Sequence, residues 1–424
     1  MTNLYWTEKT GFFPYCPPIT ALEDTEEDIV IIGAGLQGLF LGIELKIQGR
    51  NCLILDDGIP GVRSAIKGDG MLFCGPTSNH KKLLETLTIA EYFKLLSLSV
   101  DNIKIFKTFV TRFNEDKTGA WCDFKQMGGI RVAMSKEENQ SLLDLVKMFK
   151  HWKVEATPLD EGALRNIANV RWSDGAIYIP NECSYNPLFL INGLISTNIA
   201  IGNRIMSGFR FYRYGEADGK VHISDAQGNV ITCKQLILCL NAFSYQSPIE
   251  FLSKNIRPLR TQYIVTPQLK TSTSLPPYVF SIDNGANAFR VHDNRVLIGG
   301  TDYEHDLGVM ADFKVNKSLT HTQMGRAAFH LNFIENNHVV PDYTWSKLCA
   351  ISPDNLPIVG KIPGHQNVYT SCGFGVNSSF SFISAAILAE VLTQGKSKLY
   401  GSELFDPARF LTENTEPVPA TSGV

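Results

Sequence analysis

The run Gly33-Ala34-Gly35-Leu36-Gln37-Gly38 constrains this chain more than any other feature. It follows a short apolar strand, Asp28–Ile32, and opens a segment with helical spacing at Leu36, Leu39, Phe40, Ile43 and Ile47. That context gives the glycine pattern physical meaning. Gly33 permits a tight turn, and Gly35 lets a pyrophosphate approach the backbone. Gly38 lets the helix pack closely on the strand, and the helix N-terminus offers free N–H groups and a positive dipole to phosphates. A second strand, Cys52–Leu55, ends in Asp56-Asp57-Gly58. An acid at this place accepts hydrogen bonds from a ribose diol, and Asp56 stands 23 residues after Gly33, close to the spacing of about 20 that such folds use. The loop alone does not decide between flavin and nicotinamide dinucleotides.

Composition then narrows the setting. With 424 residues, 44% hydrophobic and 19% charged, the chain can bury a large core and form two or three domains. A net charge of −3 gives no basic footprint for nucleic acid. Nine cysteines without a CxxC pair argue for reduced, buried thiols and a cytoplasmic setting rather than a zinc ribbon or a dithiol centre. The apolar stretch 29–47 is interrupted by Gln37, Glu44 and Lys46, so no membrane span is expected.

Residues 1–24 read as irregular, helical patterns recur at 81–98 and 139–149, and strand patterns fill 204–240 and 263–298. An apolar helix is expected from about Ser379 to Leu392. The tail 413–424 reads as disordered, Gly395-Lys396-Ser397 as a surface turn, and Glu304-His305-Asp306 as a solvated turn rather than a metal site.

The distant half of the chain carries a family resemblance. Ser352-Pro353-Asp354-Asn355-Leu356-Pro357-Ile358-Val359-Gly360 precedes Thr370-Ser371-Cys372-Gly373-Phe374-Gly375-Val376-Asn377-Ser378, then the apolar helix, then Phe405-Asp406-Pro407. Earlier, Gly61-Val62-Arg63-Ser64 leads to Gly70-Met71-Leu72, and 236–240 runs into Asn241-Ala242-Phe243. In this order the segments resemble the D-amino acid oxidase superfamily, with glycine, sarcosine and γ-glutamylputrescine oxidases as the nearest branches.

That resemblance implies an α/β (α+β) fold, with a Rossmann-type FAD-binding domain (25–79, 181–247 and 343–412) interleaved with an antiparallel-sheet substrate domain (80–180 and 248–342). It implies FAD held by Gly33, Gly35, Leu36, Gln37, Gly38, Asp56, Asp57, Arg63, Ser64, Gly70, Met71, Asn241, Gly373, Gly375, Val376, Asn377 and Ser378, with Phe211 flanking the adenine. Backbone N–H groups of the last glycine loop would face the flavin pyrimidine. The implied reaction is oxidation of a carbon–nitrogen bond: an amine substrate gives hydride to flavin, the imine hydrolyses, and O2 or another electron acceptor reoxidises the cofactor. Alternatives are a flavin dehydrogenase acting on a 2-hydroxy acid or amine, and an inactive flavoprotein with a binding role.

Tyr263, Arg290 and Cys349 are the catalytic-site candidates. Cys349 stands where glycine oxidases carry a carboxylate-clamping Arg, and Phe380 where sarcosine oxidases carry a Lys. With both cations missing, small free amino acids are expected to be poor substrates, unless Arg63, Lys67, Arg260 or Arg290 holds the acid. Lys347 falls at the sarcosine oxidase attachment cysteine and no His lies in 58–73, so the FAD is expected to be non-covalent.

Overall fold

The computed structural model describes residues 4–8, 14–19, 26–75, 80–112, 119–169, 174–269, 276–282, 285–300, 312–330, 340–375 and 379–411. Two eight-stranded sheets organise them. In the first, the strands Ile358–Lys361, Val368–Cys372, Val230–Leu238, Glu26–Ile32, Leu53–Asp56 and Arg204–Ser207 lie side by side. The four pairings from Val368–Cys372 to Arg204–Ser207 are parallel. Where such strands are covered on both faces they are apolar. Accordingly Ile29, Val30, Ile31, Leu53, Ile54 and Leu55 are completely buried. The hairpin Phe211–Ala217/Lys220–Asp225 extends this sheet from Val230–Leu238.

The second sheet runs Tyr343–Ile351, Arg257–Val265, Arg295–Gly300, Asn287–His292, Val279–Ile282, Gly129–Ala133, Gly175–Ile179, Thr157–Leu159. All its pairings are antiparallel except that between Val279–Ile282 and Gly129–Ala133. The chain therefore visits the first sheet at 26–56, 204–238 and 358–372, and the second at 129–179 and 257–351. Tyr343–Ile351, expected in the nucleotide-binding unit, pairs along nine residues with Arg257–Val265 instead. It is the edge strand of the second sheet, and the crossing between sheets falls after Ile351.

Two further expectations change. The helical pattern at 81–98 is two helices, His80–Thr86 and Ile89–Arg112. Thr88 and Glu91 break it: the Thr88 N–H donates to the Glu91 carboxylate (2.9 Å) and the Glu91 N–H to the Thr88 hydroxyl (3.3 Å), a capping box. Within 1–24, Tyr5–Thr7 forms a 3₁₀ turn whose neighbour Leu4, with Tyr5 and Trp6, is 2–4% exposed. The apolar helix near the C-terminus spans Ser381–Gln394 and stops at Gly395, which adopts φ +80°. Phe382 on it packs against Phe40 (5.1 Å) and Phe106 (4.6 Å), joining the end of the chain to the first helix and to Ile89–Arg112. Among the described residues no helix is long and apolar enough to cross a membrane, and no cluster of three metal-ligating side chains occurs. The tail 413–424 and Glu304-His305-Asp306 lie outside the described residues.

Candidate functional site

A cavity of about 460 Å³ runs along the ends of the first sheet's parallel strands, in the range of small-molecule sites, roughly 300–1,000 Å³. At one end stands the helix Leu36–Ile47. Its N-cap, Gly35, makes no side-chain capping bond, and no acidic residue occupies the first turn. Gly33, Gly35, Leu36 and Gln37 line the cavity there.

The three glycines do different jobs. Gly33 has φ +108°, and a Cβ on it would lie 2.5 Å from the Cys239 carbonyl oxygen. A Cβ on Gly38 would lie 2.0 Å from the Gly33 carbonyl oxygen, so Gly38 serves helix–loop packing and does not line the cavity. A Cβ on Gly35 would meet no atom within 4 Å. It would project into open cavity, the space a phosphate needs.

Asp56 closes this end. It accepts hydrogen bonds from the Ala34 N–H (2.9 Å) and the Gly58 N–H (3.0 Å). Burial nevertheless pushes its carboxyl up to about 6, against the two N–H donors. Beside it, Asp57 pairs with Arg63 (2.5 Å), whose guanidinium lies over Phe243 (4.9 Å). Phe209, Arg210 and Phe211 complete the wall. The Asn241 amide oxygen is buried without a hydrogen-bond partner, and Asn241 lines the cavity. Gln37 ties the cradle to the distant end of the chain. With its amide oriented to satisfy both sides, it donates to the Ser381 carbonyl (2.6 Å) and accepts from the Ser371 hydroxyl (2.7 Å) and the Ala385 N–H (3.1 Å).

The other end of the cavity is charged. Asp69, Tyr185 and Lys347 line it. The Asp69 carboxylate accepts from the Met71 N–H (2.9 Å). Burial pushes its pKa up, opposed chiefly by Lys347 and then by Met71 and Arg290. Burial alone would lower Lys347, but the neighbouring Cys349, Asp69 and Tyr185 groups outweigh it and hold the ammonium above its ordinary value. Lys347 therefore carries its proton at neutral pH while facing the cavity.

Of the sequence-derived residues, Gly33, Gly35, Leu36, Gln37, Asp56, Asp57, Arg63, Ser64, Phe211, Asn241 and Gly375 are brought together on the cavity wall. Gly70 and Met71 lie behind it: the Gly70 carbonyl accepts from the Tyr185 N–H (2.8 Å), and Met71 is 1% exposed in a short pairing with Ser184. Gly373 is also set back, next to Ile256 and Ile358. The Gly375 N–H donates to the Ala350 carbonyl (2.8 Å), so it is not a free donor for a flavin. Val376, Asn377 and Ser378 lie outside the described residues.

Tyr263, Arg290 and Cys349 form a layer behind the cavity. Tyr263 stacks on Trp345 (5.6 Å). The Cys349 thiol, completely buried, sits 3.7 Å from the Thr261 hydroxyl. Arg290 donates to the Gly70 carbonyl (2.8 Å). Phe380 packs against Phe405 in the core, away from the cavity. Neither Cys349 nor Phe380 faces the cavity, so their lack of charge does not decide whether a carboxylate can bind. Three cations do face it, Arg63, Arg210 and Lys347, of which only Arg63 was a sequence-derived candidate for holding an acid. Asp69 and Tyr185 were missed because no local pattern marks them. Lys67 lies over Phe313 (4.0 Å), and Arg260 pairs with Asp312 (2.5 Å).

A glycine cradle, an uncapped helix N-terminus, a carboxylate at the second strand and a long cavity between two sheets define a dinucleotide-dependent oxidoreductase. The family model described as DAO, FAD dependent oxidoreductase, matches residues 28–394, and the chain belongs to that family. It is thus an FAD-dependent enzyme. It is 23% identical over 398 residues to the gamma-glutamylputrescine oxidoreductase of Escherichia coli, covering 89% of this chain and 86% of that protein. It is 21% identical over 407 residues to the glycine oxidase of Geobacillus kaustophilus, covering 91% and 97%. The solved structure of L-proline dehydrogenase from P. horikoshii superposes with a TM-score of 0.78 at 16% identity, over 92% of this chain and 99% of that one. The open space at Gly35, the unpartnered Asn241 oxygen and the uncapped helix all suit FAD. Gly33, Gly35, Asp56, Asn241 and the backbone at 209–211 would hold its nucleotide half.

Proposed function

We propose that the protein oxidises a carbon–nitrogen bond of an amine or amino acid derivative, with non-covalent FAD as the electron acceptor. The observation that carries this reading is the charged inner end of the cavity. Asp69 and Lys347 are half-buried and face the cavity; each steadies the other's charge, yet neither has a direct ion pair within 4 Å among the described residues. Such charges are costly unless something pairs with them. A zwitterionic or aminated substrate supplies the missing partners: its carboxylate or other acceptor for Lys347, its ammonium for Asp69. Raised as it is by burial, Asp69 can take a proton from that ammonium, and the neutral amine is the form that gives up hydride. The flavin, when bound, accepts the hydride, and the chain's own groups orient the amine and keep water out.

Support also comes from the relatives, two of which are named for glycine and for gamma-glutamylputrescine. Non-covalent attachment is favoured because the Cys349 thiol is buried behind the cavity and Lys347 occupies the wall. We assign 25–56, 204–247 and 352–411 to an FAD-binding domain and the second sheet to a substrate domain, with a cytoplasmic location and O2 as the reoxidant giving hydrogen peroxide.

Anaerobic mixing of the yellow holoprotein with a panel of glycine, sarcosine, proline, monoamines and γ-glutamylated amines tests the reading. Bleaching of the flavin by at least one of them is expected. If no amine bleaches it but a 2-hydroxy acid does, the reading fails. Oxygen consumption with the bleaching substrate then separates oxidase from dehydrogenase.

A further inference from the structure

The first residues described, Leu4, Tyr5 and Trp6, belong to neither sheet, yet they are buried to 2–4% exposure. They sit directly behind the loop 67–70, which lines the cavity through Gly68 and Asp69. The Trp6 indole N–H donates to the Gly68 carbonyl (2.9 Å), and the Trp345 indole N–H to the Lys67 carbonyl (3.0 Å). Arg290 donates to the Gly70 carbonyl (2.8 Å), and its guanidinium lies over the Trp6 ring (5.0 Å). Three carbonyls of one loop are thus held from behind. Peptide units are planar and trans, so a Gly68 carbonyl turned toward Trp6 aims the Asp69 N–H the other way, where it donates to the Asp69 carboxylate that lines the cavity.

The turn is itself locked. The Tyr5 hydroxyl lies 2.6 Å from His292 Nδ1, and His292 Nε2 lies 3.1 Å from the Asp123 carboxylate. Asp123 also pairs with Lys125 (3.0 Å). Although burial raises Asp123, the bonds from His292 and Lys125 prevail and hold it at about 2, so it is an anion. Burial lowers His292, and the neutral ring beside this anion donates from Nε2–H to Asp123 and accepts at Nδ1 from Tyr5. Arg290, buried and with its Nε and Nη2 atoms lacking hydrogen-bond partners, is kept in place by Trp6 and Gly70.

We propose that the Tyr5–Trp6 turn is a positioning element of the flavin site, with Trp6 setting the direction of the Gly68–Asp69 peptide and the seat of Arg290. A buried cation near an electron acceptor favours its reduced, electron-rich form. Trp6 thereby holds the cofactor's reduction potential up, without touching the substrate.

The test uses the FAD holoprotein and no amine, so it stands apart from the substrate assignment. Midpoint potential is measured by reductive titration against reference dyes, together with the visible spectrum and the FAD Kd. Trp6→Phe keeps a ring over Arg290 but loses the N–H. It is expected to lower the potential, shift the flavin absorption band and weaken FAD binding by roughly tenfold, the worth of one buried hydrogen bond. Tyr5→Phe, which breaks the lock and keeps the packing, should move the same readouts in the same direction by less. A purely architectural turn would lower Tm and leave spectrum and potential alone. Wild-type spectrum, potential and Kd in both variants, whatever their Tm, would overturn the proposal.

Discussion

The two ends of the cavity are built on opposite principles. At the nucleotide end, roles are carried by backbone and by missing side chains: Gly33 for a positive φ, Gly38 for a 2.0 Å approach, Gly35 for empty space. The cradle itself comes from 33–38 and 56–58, with the wall completed by 209–211 and Asn241. At the inner end, roles are carried by side chains, Asp69, Tyr185 and Lys347, from segments far apart in sequence. Behind them stand Trp6, Arg290 and Trp345, again from distant segments. The first end tolerates no added atoms; the second tolerates no lost charges.

Gly35→Val gives the largest expected effect and tests the first half of that contrast. Its Cβ meets no protein atom within 4 Å, so the variant should fold. The branched side chain would fill the phosphate space, and the purified protein should be colourless with almost no bound FAD. A yellow variant with normal flavin content breaks the assignment of the cradle.

Lys347→Met tests the second half. The side chain keeps its length and apolar stem but loses the ammonium facing the cavity. Flavin content should stay near normal, while the anaerobic reduction rate with the best amine falls by roughly a hundredfold, as for loss of one preorganised electrostatic contact. A variant that loses FAD and keeps its reduction rate would show that the two ends are not divided in this way.

The smallest effect concerns Asp56, the one ionisable group at the nucleotide end that the cradle itself hydrogen-bonds. Its carboxyl is raised by burial to about 6, and the ionised form is the better acceptor for a ribose diol. FAD affinity should be flat above pH 7 and weaken by up to about tenfold between pH 7 and 5, measured as Kd by fluorescence quenching. Asp56→Asn should flatten that dependence. For the apoprotein the sign is reversed. A carboxyl bound to its proton more tightly when folded costs most stability above pH 6, and that cost shrinks as pH falls toward its ordinary 3.8. A pH-independent Kd in the wild type would remove Asp56 from the ribose.

How much of this was legible depends on range. The capping box at Thr88–Glu91 was present in the sequence and went unused, which is why one helix was expected where there are two. Tyr343–Ile351 is an edge strand, but nothing local says which sheet a strand joins. Cys349 and Phe380 were in register with functional positions of relatives, yet their side chains point into layers behind the cavity.

The sequence by itself determined the nucleotide end, because a turn that needs φ +108° and a helix that must touch its own loop write their demands into adjacent residues. It also determined that a chain with strands buried on both faces would form a parallel sheet. Only the tertiary structure decided the inner end. Whether Lys347 faces a cavity, Cys349 backs it, or Trp6 reaches Gly68 depends on how two sheets and an N-terminal turn pack, and burial of charge is a property of that packing, not of any local run of residues.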